Sequence, residues 1–135
     1  MRRVILTICN ARERRVDLRL SELMEMQKQL KSKHEGKWHP LTPDYGRSCL
    51  LWMAEEFGEI VSVIKKRGED SIMTDPVVRE AFIEEFVDVI MFMNDALICY
   101  NIDASELSGV YLKKHEKNMN RDWEKEEANY IRRED

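Results

Sequence analysis

The dipeptides Thr42-Pro43 and Asp75-Pro76 constrain this chain more than any other feature. A polar residue able to cap, followed by proline at the first helical position, marks a helix start. Between and beyond these two signals punctuation is scarce, since 135 residues hold only three Pro and five Gly. No glycine-rich phosphate loop and no alternation of strands with helices interrupts the pattern. The chain therefore reads as all-α, a four-helix, bundle-like domain.

The helix starting at Thr42-Pro43 is expected to run to about Lys66 or Arg67, whose charges suit the negative end of the helix dipole. Gly68 then stops it, and Gly68 to Asp75 forms a linker. The helix starting at Asp75-Pro76 runs to about Tyr100 and ends at Asn101. An earlier helix spans about Leu18 to His34, with Ser21 available as a cap. Its stripe is Leu20, Leu23, Met24, Gln27 and Leu30, and Gly36 and Pro40 end it. Asp103, with Glu106 three residues on, opens a fourth helix, expected to continue past Asn120 toward Tyr130. Residues 1–17 form an N-terminal arm without an assigned role. Residues 132–135 are a tail expected to fray.

Composition fits a helix-rich domain: 43% of residues are hydrophobic and 36% charged, which argues against a disordered chain. A net charge of −4 gives no footprint for duplex DNA. Cys9, Cys49 and Cys99 are far apart, odd in number and without a CxxC. They suit a reduced, cytoplasmic protein, with Cys49 and Cys99 as core thiols. The apolar run Val4 to Cys9 is about six residues, too short for a signal core or a membrane span.

The middle helices carry an anomaly. Glu55-Glu56-Phe57-Gly58-Glu59 lies inside LLWMAEEFGEIVSVI, and Glu84-Glu85-Phe86-Val87-Asp88 lies inside REAFIEEFVDVIMFM. At about 100° per residue, residues three and four apart share a face. In the first of these helices Leu50, Ala54, Phe57, Ile60, Val61 and Ile64 form a broad apolar face. Trp52, Glu56, Glu59 and Val63 form a second stripe. In the next, Phe82, Val89, Ile90, Met93 and Leu97 make the main apolar side. Ala81, Glu85, Asp88, Phe92 and Asp95 make the second stripe. No Lys or Arg stands at helical-neighbour spacing from Glu56, Glu59, Glu85 or Asp88. Each i, i+3 pair repels itself.

Ordinary surface acids are one explanation, since charged helix faces are common. A hard divalent cation is the economical alternative. Mg²⁺ takes carboxylate oxygens and keeps waters, so a few acids and substrate phosphates complete its shell. A di-iron carboxylate bundle needs Glu-x-x-His, and His34, His39 and His115 have no Glu three residues before them.

These residues resemble a known family. Glu56-x-x-Glu59 followed by Glu85-x-x-Asp88 is similar to the ExxE…ExxD signature of the MazG-like, all-α nucleoside triphosphate pyrophosphohydrolases, over about Leu18 to Asp122. The resemblance implies a dimeric or tetrameric MazG-type bundle occupying residues 18–131. It implies cleavage of (d)NTPs between the α and β phosphates to a monophosphate and pyrophosphate, with Mg²⁺, or Mn²⁺ as a substitute. By position it makes Glu56, Glu59, Glu85 and Asp88 the metal ligands. Glu55 becomes a further ligand or the base for the attacking water, so Glu55 and Glu56 are the catalytic candidates. Lys114, Asn118 and Arg121 become the phosphate-binding stretch. House-cleaning of the nucleotide pool is the role that follows.

The last motif also makes sense by itself. Leu107, Val110 and Tyr111 start a stripe that Lys114, Asn118 and Arg121 continue in basic character, which can dock at one end and meet phosphate at the other. A solvated helix end explains it equally. Trp52, Phe92 and Trp38, with His39, are candidates to stack on a base, or pack as core. The Met24–Met26 and Met91–Met93 segments are expected at subunit contacts. A non-catalytic helical module binding nucleotide or protein, and a purely structural oligomer, are the alternatives. The complete set of acids favours the enzyme.

Overall fold

A computed structural model describes residues 16–131, which form five helices and no strand. These are α1 (Leu20–Lys33), α2 (Pro43–Thr74), α3 (Pro76–Cys99), α4 (Ala104–Met119) and α5 (Trp123–Ile131). The N-terminal arm up to residue 15, including Cys9, and the 132–135 tail lie outside the described residues. No helix among the described residues is long and apolar enough to cross a membrane.

The starts of α2 and α3 follow their prolines, with Pro43 and Pro76 in the first turn. The Asp75 carboxylate accepts from the Val77 and Val78 N–H groups at 2.9 and 3.4 Å. Asp103 accepts from Glu106 N–H at 2.8 Å. Each bond satisfies a donor that the first turn leaves without an intrahelical partner. Thr42 makes no such side-chain bond. Helix α1 starts at Leu20, not Leu18, and Ser21 is inside it. The Glu22 carboxylate, accepting from Arg19 N–H at 2.7 Å, closes that end instead.

Two boundaries differ from expectation. Gly68 breaks α2 with φ 76° and ψ 160°, but the helix resumes and runs to Thr74. Left-handed φ is open to glycine at no steric cost. After it the Thr74 hydroxyl donates to the Asp70 carbonyl at 2.7 Å and the Asp75 N–H to the Ser71 carbonyl at 2.9 Å, so the expected linker is mostly helical. The fourth helix does not continue toward Tyr130. It stops at Met119, where the Asn120 side-chain amide donates to the Glu116 carbonyl at 3.0 Å. Asp122 then accepts from Lys125 N–H at 3.1 Å and opens α5. Asn and Asp offer the backbone alternatives to continued helix, and Asn-Arg-Asp uses both.

Helices α2 and α3 form the main packed pair, with α1 against α3 and α4 meeting only α1. Trp52 meets Phe92, Gly46 meets Tyr100 and Cys49 clusters with Cys99. As the number rises on one helix it falls on the other, so the pair is antiparallel. A Cβ on Gly46 would lie 2.4 Å from the Tyr100 ring, which explains a glycine inside the first turns of α2.

The core is small. It holds Met24 of α1, Cys49, Ile60 and Ile72 of α2, and Val78, Ala96 and Cys99 of α3. Met24 is thus buried within the chain rather than at a subunit contact. Burial raises both thiols, that of Cys99 to about 12, so they are protonated hydrophobes at neutral pH. The broad apolar face of α2 is not where this core lies. Ile60 is buried, but Leu50, Phe57 and Val61 are exposed, as are Ile83, Phe86, Val87 and Ile90 of α3. The stripe carrying the acids is the more covered one: Trp52, Glu56, Glu85, Asp88 and Phe92 are all half-buried, and Asp95 is buried.

Candidate metal centre and adjoining cavity

Antiparallel pairing brings the two acid motifs face to face. Carboxylate oxygens of Glu56, Glu85 and Asp88 lie within 4.8 Å of one another. No Lys or Arg forms an ion pair with any of the three among the described residues. Burial holds the Glu56 carboxyl above its ordinary value, and the charges of Asp88, Glu85, Glu59 and Glu55 push the same way. Glu59, assigned as a fourth ligand, and Glu55 are exposed and lie outside this group of three, near enough to act on Glu56 through their charge. Three half-buried, hard oxygen donors that repel one another suit a divalent cation such as Mg²⁺.

Asp88 also borders a cavity of about 460 Å³. Trp38, Trp52, Phe92 and His39 stand around it, with Met91 and Leu30. Three of these rings, His39, Trp52 and Phe92, form a connected set, and Trp38 pairs with His34 instead. His39 stacks on Tyr45 with centroids 4.6 Å apart and on Trp52 at 5.7 Å, and Trp52 meets Phe92 at 5.8 Å with its plane tilted by 47°. Trp38 stacks on His34 at 4.3 Å. The three aromatic candidates from different parts of the chain therefore share one space next to the acids.

A buried acid also lines that cavity. Asp95, at 2% exposure, is among the most buried side chains of the molecule. Its Oδ2 meets the Lys31 ammonium of α1 at 3.1 Å, and its Oδ1 has no hydrogen-bond partner among the described residues. Burial raises its carboxyl, which Lys31 and Gln27 oppose. Gln27, itself buried, lies close enough for that influence but leaves Oδ1 unpartnered. The Lys31 ammonium also sits 5.1 Å from the Trp38 ring centre, a cation–π contact. A single acid inside the run MFMNDALIC was the available signal for Asp95. Lys31 offered none, because its partner lies on another helix.

Lys114, Asn118 and Arg121 are placed elsewhere. Lys114 and Asn118 are exposed on α4, which meets α1 and not α2 or α3. Arg121 follows the break after α4, pairs with Glu126 and lies over the Trp123 ring at 4.3 Å. Within one chain these residues do not join the acids. No protein-family model, no curated protein and no solved structure matches the chain.

Proposed function

We propose that this protein is a Mg²⁺-dependent nucleotide pyrophosphohydrolase of the MazG-like, all-α class. It cleaves (d)NTPs between the α and β phosphates to a (d)NMP and pyrophosphate. One observation carries the reading: three carboxylates from two helices converge, without a basic partner among the described residues, beside a cavity walled by aromatic rings. Glu56, Glu85 and Asp88 would hold the metal, with Glu59 and Glu55 reaching in from the rim. When bound, Mg²⁺ supplies charge neutralisation for the phosphates and a water of lowered pKa. The protein's share is positioning. Trp52, Phe92 and Trp38 receive a base, Asp88 links that space to the acids, and Glu55 or Glu56 accepts a proton from the attacking water.

Two copies of the chain suit this reading. Several large apolar side chains of the described residues are exposed. A stable interface covers about 800 Å² per partner. Phe57, Val61, Phe86, Val87 and Ile90 form the face such a partner would cover. A helix that buries none of its residues, as α4 does here, draws little stability from its own chain. Docked on a second copy, α4 has the means to bring Lys114 and Asn118 to the phosphates.

The separation of Lys114, Asn118 and Arg121 from the acids favours a second reading, a module that binds nucleotide without cleaving it. Pyrophosphate release from a panel of (d)NTPs, with and without Mg²⁺, decides between them. Release that needs the metal and disappears in Glu56→Gln supports the enzyme. Metal-dependent nucleotide binding without release supports the module.

A further inference from the structure

The Lys31–Asp95 pair does more than tether α1 to α3. A tether needs one oxygen of the carboxylate, and Oδ2 serves at 3.1 Å from Lys31. The other oxygen, Oδ1, is buried and unpartnered. Leaving a buried acceptor dry costs about as much as a lost hydrogen bond, so an unmatched acceptor beside a cavity suits a donor that arrives with a ligand and displaces water. Asp95, Lys31 and Gln27 all line the aromatic cavity, and Asp88 of the acid group lines it too.

Hydrogen-bond capacity narrows the ligand. An ammonium carries three donors. Lys31 directs one at Asp95 Oδ2 and faces the Trp38 ring with its charge, which leaves a donor for an incoming acceptor. Asp95 has one acceptor oxygen without a partner. The pair thus offers one donor beside one acceptor. An imide edge, a single N–H next to a carbonyl, matches that count. An exocyclic amino group brings two hydrogens, and the second would be left without an acceptor at Asp95.

Resting on the nucleotide reading above, we infer that Asp95 and Lys31 read the base, Asp95 Oδ1 accepting from a ring imide N–H and Lys31 donating to the adjacent carbonyl. The substrate class is a nucleotide bearing an oxo-pyrimidine, uracil or thymine. Its ring lies against Trp52 and Phe92, and its phosphates point toward Asp88. Asp95 and Lys31 determine specificity in this scheme and take no part in the chemistry.

The test compares kcat/KM for dUTP, dTTP, dCTP, dATP and dGTP in the wild type and in Lys31→Met/Asp95→Leu. Replacing a buried ion pair with apolar residues of similar volume commonly preserves folding, which circular dichroism checks. The wild type is expected to favour dUTP or dTTP over dCTP by about 100-fold or more, because a site built to bond an N–H rejects bases that cannot supply it. The double variant is expected to bring that ratio within about 10-fold through KM, with kcat little changed. A wild type that prefers amino bases, or a variant that keeps the wild-type ranking, overturns the assignment. If no nucleotide is cleaved, the enzyme reading falls separately. The base reader is then judged by equilibrium dialysis of dUTP and dCTP with Ca²⁺, wild type against Asp95→Asn. Tighter dUTP binding that the variant loses upholds it, and equal affinities overturn it. The same dialysis serves if the double variant does not fold.

Discussion

Asp88 and Asp95 stand two turns apart on one stripe of α3, and the fold treats them in opposite ways. Asp95 is buried with a cation of its own, Lys31 from α1. Asp88 is half-buried with two more carboxylates and no cation among the described residues. An acid that brings its counter-charge can be part of the architecture. Acids gathered without one repel each other, and the proposed cation would relieve that repulsion. The same helix therefore carries one acid whose charge is balanced within the fold and another whose charge is not, and the counter-charge, not the burial, tells them apart.

The comparison breaks most visibly at Asp88. Asp88→Asn is expected to lower Mg²⁺-dependent pyrophosphate release on the order of 10³-fold, equivalent to about 4 kcal/mol of transition-state stabilisation. In EDTA the same variant should melt at the wild-type temperature or higher, because it removes repulsion rather than a bond. A lower apo Tm would reveal a structural partner of Asp88.

Lys31→Met should behave in the reverse sense. It strands the Asp95 carboxylate, and urea melts should show a loss of about 3 kcal/mol. Adding Asp95→Leu should restore most of that loss. Equal melts for Lys31→Met and wild type would erase the distinction between the two acids.

The pH dependence of apo stability sharpens the contrast further. The Glu56 carboxyl is raised above 4.5 in the folded protein, by burial first and by Asp88, Glu85, Glu59 and Glu55 after it. The folded state then binds the proton more tightly than the unfolded one. Its stability contribution is present at low pH and is lost as pH rises through the folded value. In EDTA the urea midpoint should therefore rise as pH falls from neutrality toward that ordinary value. Asp95, also raised, contributes in the same sense. Glu56→Gln should flatten the slope without abolishing it.

The smallest effect is expected at Lys114. Lys114→Ala removes an exposed side chain and should shift stability by less than about 0.5 kcal/mol. Its turnover should nonetheless drop roughly 10-fold if α4 serves the acid site of a second copy. Unchanged turnover would remove α4 from the site.

How much was legible follows from where each signal sits. Pro43, Asp75-Pro76 and Asp103 act within one turn of chain, so the helix starts could be read directly. The acid stripes were legible for the same reason, since spacings of three and four residues fix a face. Gly68 signals a stop because a left-handed residue ends many helices, but Asp70 and Ser71 rebuild the turn after it. Asn120 was read as helix interior because nothing beside it signals a break, yet its amide caps one helix and Asp122 caps the next. Lys31 and Asp95 were not paired, because no spacing rule connects residues on α1 and α3. The apolar face of α2 is legible as a stripe, but its exposure is not. Hydrophobic periodicity names a buried stripe but not the chain that buries it.

The most direct test of the central claim is a Mn²⁺ titration followed by electron paramagnetic resonance, on wild type and Asp88→Asn without nucleotide. The account predicts that wild type removes free Mn²⁺ signal in a saturable way, that Mg²⁺ competes, and that the variant loses this binding while keeping its helical content. Equal Mn²⁺ uptake by wild type and variant, or none by either, would contradict a metal centre at Glu56, Glu85 and Asp88.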